Sequence, residues 1–274
     1  MTPAKGHNPR RGNPRGNRGK NAGGGRGGHN RRGPTPFPWD AEKFKPRITS
    51  NFKGIEAEVA DSALDMVRPT SDGVRAWHAA SLEGVPLAEP WVAGRYRGQG
   101  PPNSRLANCP VHVGGVFGTP PARVRGEVTA AFAELDRRLD ALDARIANGE
   151  SVEDVYEDVL AVCAWIHGQW VRIHPFVDHN GSTARLLTVA VGLRYGIPLQ
   201  LPGKPRSQLP TDGLVVDYNL AAGNQMSGDD HLMKLFLHDL VEETLRQATT
   251  ATAAEGSAIP VEGRFDSAAD ASAE

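Results

Sequence analysis

Ile173-His174-Pro175-Phe176-Val177-Asp178-His179-Asn180-Gly181-Ser182-Thr183-Ala184-Arg185-Leu186-Leu187 sets a proline just past a histidine, then a short polar loop, then an apolar run. Pro175 forbids continuation of a helix that arrives at His174. A second helix starts near Asn180 and Gly181. Its residues up to Tyr195 are apolar almost all round (Leu186, Leu187, Val189, Val191, Leu193), which places it in the centre of a core. A buried helix N-terminus fed by a polar loop is an anion site, because its first N–H groups lack partners and its dipole is positive there.

The chemistry-bearing side chains crowd into the same unit. His174 can take a proton from a hydroxyl, since a histidine titrates near working pH. Asp178 can hold Mg²⁺ bridging phosphate oxygens. Arg185, one turn into the helix, can reach a phosphate tail. Base, carboxylate, phosphate cradle and arginine together point to phosphoryl or nucleotidyl transfer. Each residue also has a plainer reading. His174 can be a helix-end histidine and Asp178 a helix N-cap. His167, His174, Asp178 and His179 can be read as a zinc set, but the paired spacing of such sites is missing.

Working outward, the surrounding chain reads as helices. Residues 127–147 carry Val128, Phe132, Leu135, Leu139, Leu142 and Ile146 at helical spacing, and Asn148-Gly149 ends them. Ser151 caps the next helix, with Glu153 and Asp154 in its first turn, and this helix leads into the motif. Gly196 and Pro198 close the central helix, and a last one is expected over 229–245. Residues 110–117 alternate around Gly114-Gly115, which suits a protruding β-hairpin.

Composition bounds the rest. The 274 residues carry 31 Lys and Arg against 32 Asp and Glu. Nine of the basic residues and none of the acids lie in residues 1–33, so a basic head precedes an acidic body. Residues 1–33 are too polar to bury a core and are expected to be disordered, as are residues 250–274, rich in Ala and acid. That leaves 34–249 for one folded domain. No apolar run is long enough to span a membrane, and no secretory signal is evident. Two cysteines, Cys109 and Cys163, make neither a disulfide framework nor a metal motif. A cytoplasmic location fits. The basic head can bind nucleic acid or an anionic surface, although it has no aromatic residue to stack on bases. The five tryptophans read as core or rim.

The motif resembles the signature of the Fic (Fido) family, H-P-F-x-D-G-N-G-R-x-x-R. His174, Pro175, Phe176, Asp178, Asn180, Gly181 and Arg185 match in order and spacing, and similarity extends over about residues 50–245. His179 stands where glycine is usual, and Ser182 replaces the first arginine. The resemblance implies an all-α domain with a β-hairpin flap near 103–120 that holds a target protein along 110–117 by strand addition. It implies a protein adenylyltransferase that moves AMP from ATP to a Ser, Thr or Tyr hydroxyl with Mg²⁺. In that scheme His174 is the base, Asp178 the metal ligand, and Phe176 the buried anchor. Asn180, Gly181, Ser182, Arg185 and Tyr218 line the nucleotide site, with Tyr218 towards adenine or simply packed. Residues 74–84 resemble the family's inhibitory helix, which implies that Glu83 pairs with Arg185 and regulates; an ordinary surface glutamate is the plainer reading. Loss of the arginine at 182 is worth about 1.5–3 kcal/mol if felt at the transition state. That leaves two alternatives: a weak or inactive module that binds nucleotide or a partner, and an enzyme with another phosphorylated donor.

Overall fold

The computed structural model describes residues 42–102, 104–113, 115–204 and 214–256. The basic head and most of the acidic tail lie outside these residues. Seven α-helices and one two-stranded ribbon follow a 3-10 turn at Glu42–Phe44. In chain order they are α1 (Lys45–Leu64), α2 (Ser71–Ser81), β1 (His112–Val113), β2 (Val116–Phe117), α3 (Pro121–Ala147), α4 (Val152–Ile173), α5 (Asn180–Arg194), α6 (Tyr218–Gln225) and α7 (His231–Gly256). The all-α expectation with a small hairpin is met. None of the described helices is long and apolar enough to cross a membrane.

Helix α5 is the axis of the core. It packs chiefly on α4 and α1, with α3 on the far side of α4. Leu186, Leu187 and Val191 are fully buried, each worth about 1.5–3 kcal/mol of apolar burial. Several polar groups on this buried helix are satisfied internally, although Arg194 Nε has no hydrogen-bond partner among the described residues. Thr183 Oγ1 accepts from Trp170 Nε1 at 2.8 Å, and Thr188 Oγ1 donates to the Ala184 carbonyl at 2.9 Å. Arg194 meets Asp143 at 2.7 Å.

The boundaries follow local chemistry. Ser151 and Asp154 form a reciprocal capping box at the start of α4. Thr70 caps α2 by accepting the Gly73 N–H. Helix α3 begins at Pro121, six residues before the expected start, because proline is pre-set for the first helical position. Helix α7 runs to Gly256, past the expected end and into the stretch read as a disordered tail. The Ala- and Thr-rich run at 248–254 contains alanine, the best helix former, and continues a helix already anchored by Phe236, Leu237 and Leu240.

Candidate functional site

The loop between α4 and α5 is built around two residues in left-handed conformation. His174, the C-cap of α4, has φ 51° and ψ 59°. His179, the N-cap of α5, has φ 58° and ψ 14°. Each costs about 1–2 kcal/mol for a residue with a β-carbon, so surrounding contacts must hold them. The glycine usual at position 179 of the family motif therefore corresponds to a real positive-φ site, and this chain fills it with a buried side chain.

His174 Nδ1 lies 3.2 Å from the Val171 carbonyl. A carbonyl can only accept, so Nδ1 carries the proton and Nε2 is left as the basic nitrogen. Burial pushes the His174 pKa down to about 4, and the Arg97 charge adds to the effect. The imidazole is therefore neutral at pH 7, with a lone pair available at Nε2.

Arg97 is the part of the site that sequence reading missed. It is fully buried. Its guanidinium donates to the carbonyls of His174 (2.7 Å), Cys109 (2.7 Å), Thr119 (2.8 Å) and Ile173 (2.9 Å). Its own N–H donates to the Pro175 carbonyl at 2.7 Å. One cation thus ties the end of α4, the signature loop and both stems of the hairpin together. Burial lowers its pKa, though arginine stays charged. No short motif signals this role, because every acceptor is backbone.

Phe176 is the buried anchor expected from the motif, with no exposed surface. Its ring stacks on His78 of α2 at 3.9 Å and meets Tyr96 and Trp170 at 5.2 and 5.8 Å. Asn180 clamps its backbone from both sides. Asn180 Oδ1 accepts the Phe176 N–H at 2.8 Å, and Nδ2 donates to the Phe176 carbonyl at 2.9 Å. Both ends of the Asn180 amide are used in closing the loop, which makes it a brace for the cradle in this structure.

The mouth of the site is the start of α5. By helix geometry the N–H groups of Asn180, Gly181 and Ser182 have no intrahelical acceptor, and no side chain caps them. A Cβ placed on Gly181 would meet nothing nearer than Arg185 at 3.6 Å, so the backbone there is approachable. Asp178 Oδ1 accepts the His179 N–H at 2.7 Å, and its side chain remains 33% exposed. Ser182 is buried at 2% exposure.

His179 turns inward to α2. The Ser81 hydroxyl donates to the His78 carbonyl at 2.8 Å, so His179 Nδ1 is the donor in its 3.1 Å contact with Ser81. Phe52 of α1 meets the ring edge-on at 5.4 Å. Burial lowers the His179 pKa to about 4; Asp178 opposes this and Lys204 reinforces it.

Two contacts implied by the family resemblance, and the plainer zinc reading, are not seen in this structure. Arg185 makes no ion pair with Glu83. Its guanidinium donates to the carbonyls of Pro202 (2.8 Å) and Gly203 (2.5 Å) and reaches the Tyr218 hydroxyl at 3.3 Å. Glu83 is exposed because α2 ends at Ser81, two residues before it. Its backbone is held instead: the carbonyl accepts from Asn51 at 2.9 Å and the N–H donates to the Ala80 carbonyl at 3.1 Å. Tyr218 is 3% exposed, its hydroxyl is bonded to His167 Nε2 at 3.0 Å, and its ring packs on Phe236. It presents no face to a base. The zinc set is not assembled either: His167 lies between Tyr218 and Gln225, whose Oε1 is 2.6 Å from Nδ1. Among the described residues, a ligand-like trio occurs instead at His238, Asp239 and Glu242 on α7.

The hairpin pairs His112 with Phe117 and Val113 with Val116, and Gly115 in its turn has φ 86°. Its base is hooked to α4 by the Thr119 N–H on the Arg172 carbonyl at 3.3 Å. A Cβ on Gly118 would lie 3.5 Å from that of His174, so the ribbon stands directly beside the histidine. Phe117 is 71% exposed and Val116 41%, an open strand edge of the kind that accepts an extended peptide. Two cavities, of about 510 and 700 Å³, are lined by none of His174, Asp178 or Gly181.

Comparison with known proteins agrees with this geometry. Residues 69–191 match the Fic/DOC family model. A Fido domain-containing protein of Dictyostelium discoideum is 45% identical over 42 residues, 15% of this chain and 29% of that protein's length. The crystal structure of a Fic domain containing signaling protein from Bacteroides thetaiotaomicron superposes with a TM-score of 0.51 at 20% identity, covering 79% of this chain and 76% of that one. With signature loop, family match and fold in agreement, the chain carries a Fic/DOC-type domain over residues 69–191.

Proposed function

We propose that this protein is a Fic-type transferase that moves AMP from ATP to a hydroxyl of a protein. The observation that carries the reading is the neutral His174, its Nε2 unprotonated beside the hairpin and before the open N-terminus of α5. In the proposed step the target hydroxyl oxygen attacks the α-phosphorus and its proton passes to His174 Nε2. The new O–P bond forms as the bond from the α-phosphorus to the bridging oxygen breaks, and pyrophosphate leaves. The free N–H groups at Asn180, Gly181 and Ser182 support negative charge on the transferring group. The exposed strand edge at Val116 and Phe117 would align the target segment.

Asp178 fits a Mg²⁺ ion of the kind held by one carboxylate and substrate phosphates, because it offers a hard oxygen that is partly exposed at the mouth. Such an ion, when bound, neutralises phosphate charge. Asp178 is itself oriented by the His179 N–H.

A second reading rests on the cations. Ser182 removes one motif arginine, and Arg185 is engaged by two carbonyls and a hydroxyl. This arrangement favours a module that binds nucleotide with little turnover, or an enzyme with another phosphorylated donor. The test is transfer from ATP labelled at the α or the γ phosphate, with Mg²⁺, using self-modification and lysate proteins as acceptors. Label from the α position that is lost in His174→Ala is the expected result. Label from γ alone makes the protein a kinase, and no label despite nucleotide binding supports the second reading.

A further inference from the structure

The cavity of about 700 Å³ lies between the start of α2, the segment 95–99, which includes Arg97, and the start of α3. Its volume is in the range typical of small-molecule sites, about 300–1,000 Å³. Its lining is cationic. Arg75, Arg95 and Arg125 face one acid, Asp72. Arg75 is accounted for: it pairs with Asp72 at 3.0 Å and donates to the Gly94 carbonyl at 2.8 Å. Arg95 and Arg125 are different. Among the described residues neither guanidinium has a hydrogen bond or ion pair, although surface arginines elsewhere in the chain, such as Arg137, Arg145 and Arg246, are matched with carboxylates.

Two further features add positive potential and donors. Helices α2 and α3 both begin at the wall of this cavity, at Ser71 and Pro121, so two positive dipole ends converge there. Gln99 and Thr129 supply neutral polar groups to the lining. Unmatched guanidinium forks favour tetrahedral oxyanions, which they grip through paired N–H donors.

We propose that this cavity binds a small phosphorylated molecule, with Arg95 and Arg125 gripping the phosphate and Arg75 held in place by Asp72. The site is separate from the signature loop, and its test does not depend on the proposed transfer.

The experiment is an amide NMR titration of the full chain with inorganic pyrophosphate, repeated on R95Q/R125Q. Both arginines are exposed, so the variant retains its fold, which the spectrum and thermal melt report directly. The expected result is saturable shifts at the amides of Arg95, Gln99, Ala122 and Thr129, weakened at least about tenfold in the double variant. Shifts confined to Asn180, Gly181 and Ser182, or unchanged affinity in R95Q/R125Q, would overturn the proposal. A citrate titration is the second arm. Tighter binding of citrate than pyrophosphate at the same amides would overturn the assignment of phosphate as the recognised group.

Discussion

The guanidinium of Arg97 donates through Nε to the main-chain carbonyl of His174 at 2.7 Å. The bond fixes a histidine in a conformation that its own backbone disfavours, and the same guanidinium also holds Ile173, Thr119 and Cys109. Positioning of the histidine beside the hairpin thus depends on a residue some 77 positions earlier in the chain.

Arg97→Ala strands four carbonyls that it now satisfies. Each buried group left without a partner costs about 1–3 kcal/mol, so urea denaturation is expected to show a loss of at least about 3 kcal/mol. Arg97→Lys keeps the charge but cannot reach all four acceptors with one ammonium. It is expected to retain the fold and to lose most label transfer. Equal transfer by wild type and Arg97→Lys would show that the brace does not position His174.

Asn180→Ala removes the clamp on both backbone groups of Phe176. The expected cost is about 2–5 kcal/mol, with the loop opening ahead of the helices. Hydrogen exchange measures this: the Phe176 amide should lose protection while amides inside α3 keep theirs.

Stability should fall on mild acidification. Burial lowers the pKa of His78 to about 3 and those of His167 and His179 to about 4, from an ordinary 6.5. Between those values the unfolded chain binds protons that the folded one refuses. The stability is present above pH 6.5 and is lost as the pH falls through this window towards 4. Each such histidine contributes about 1.4 kcal/mol per pH unit. Urea midpoints at pH 7 and pH 5 should therefore differ by about 2 kcal/mol or more in unfolding free energy. His167→Gln should flatten the slope.

Ser182→Arg restores the missing cation at the head of α5. If the weak point of the site is the triphosphate, label transfer should rise by about one to two decades. The position is 2% exposed, so a thermal melt must accompany the assay. A folded variant with unchanged transfer would place the limit elsewhere.

The signature loop and the helices around it were legible because their signals are local. Pro175 stops α4, Ser151 caps it, and the apolar α5 announces its burial. The left-handed backbone at 179 was also legible, from the glycine usual in the family. The separation of Glu83 from Arg185 was not, because it follows from α2 ending at Ser81 and from Arg185 bonding the carbonyls of Pro202 and Gly203. Those carbonyls are brought to Arg185 by the chain's return after α5, which no spacing reveals. Arg97 was illegible for the same reason. Alanines at 248–254 misled in the other direction: they read as low-complexity tail yet extend α7.

The ionisation and tautomer of His174 can be read by ¹⁵N NMR of the full chain across pH 4 to 8. A neutral ring at pH 7, protonated at Nδ1 and bare at Nε2, with titration delayed to near pH 4, is the result expected of a buried base held by Val171 and Arg97. A ring that titrates at 6.5 or above, or that carries its neutral-form proton on Nε2, would contradict the assignment of His174 as the group that takes the hydroxyl proton.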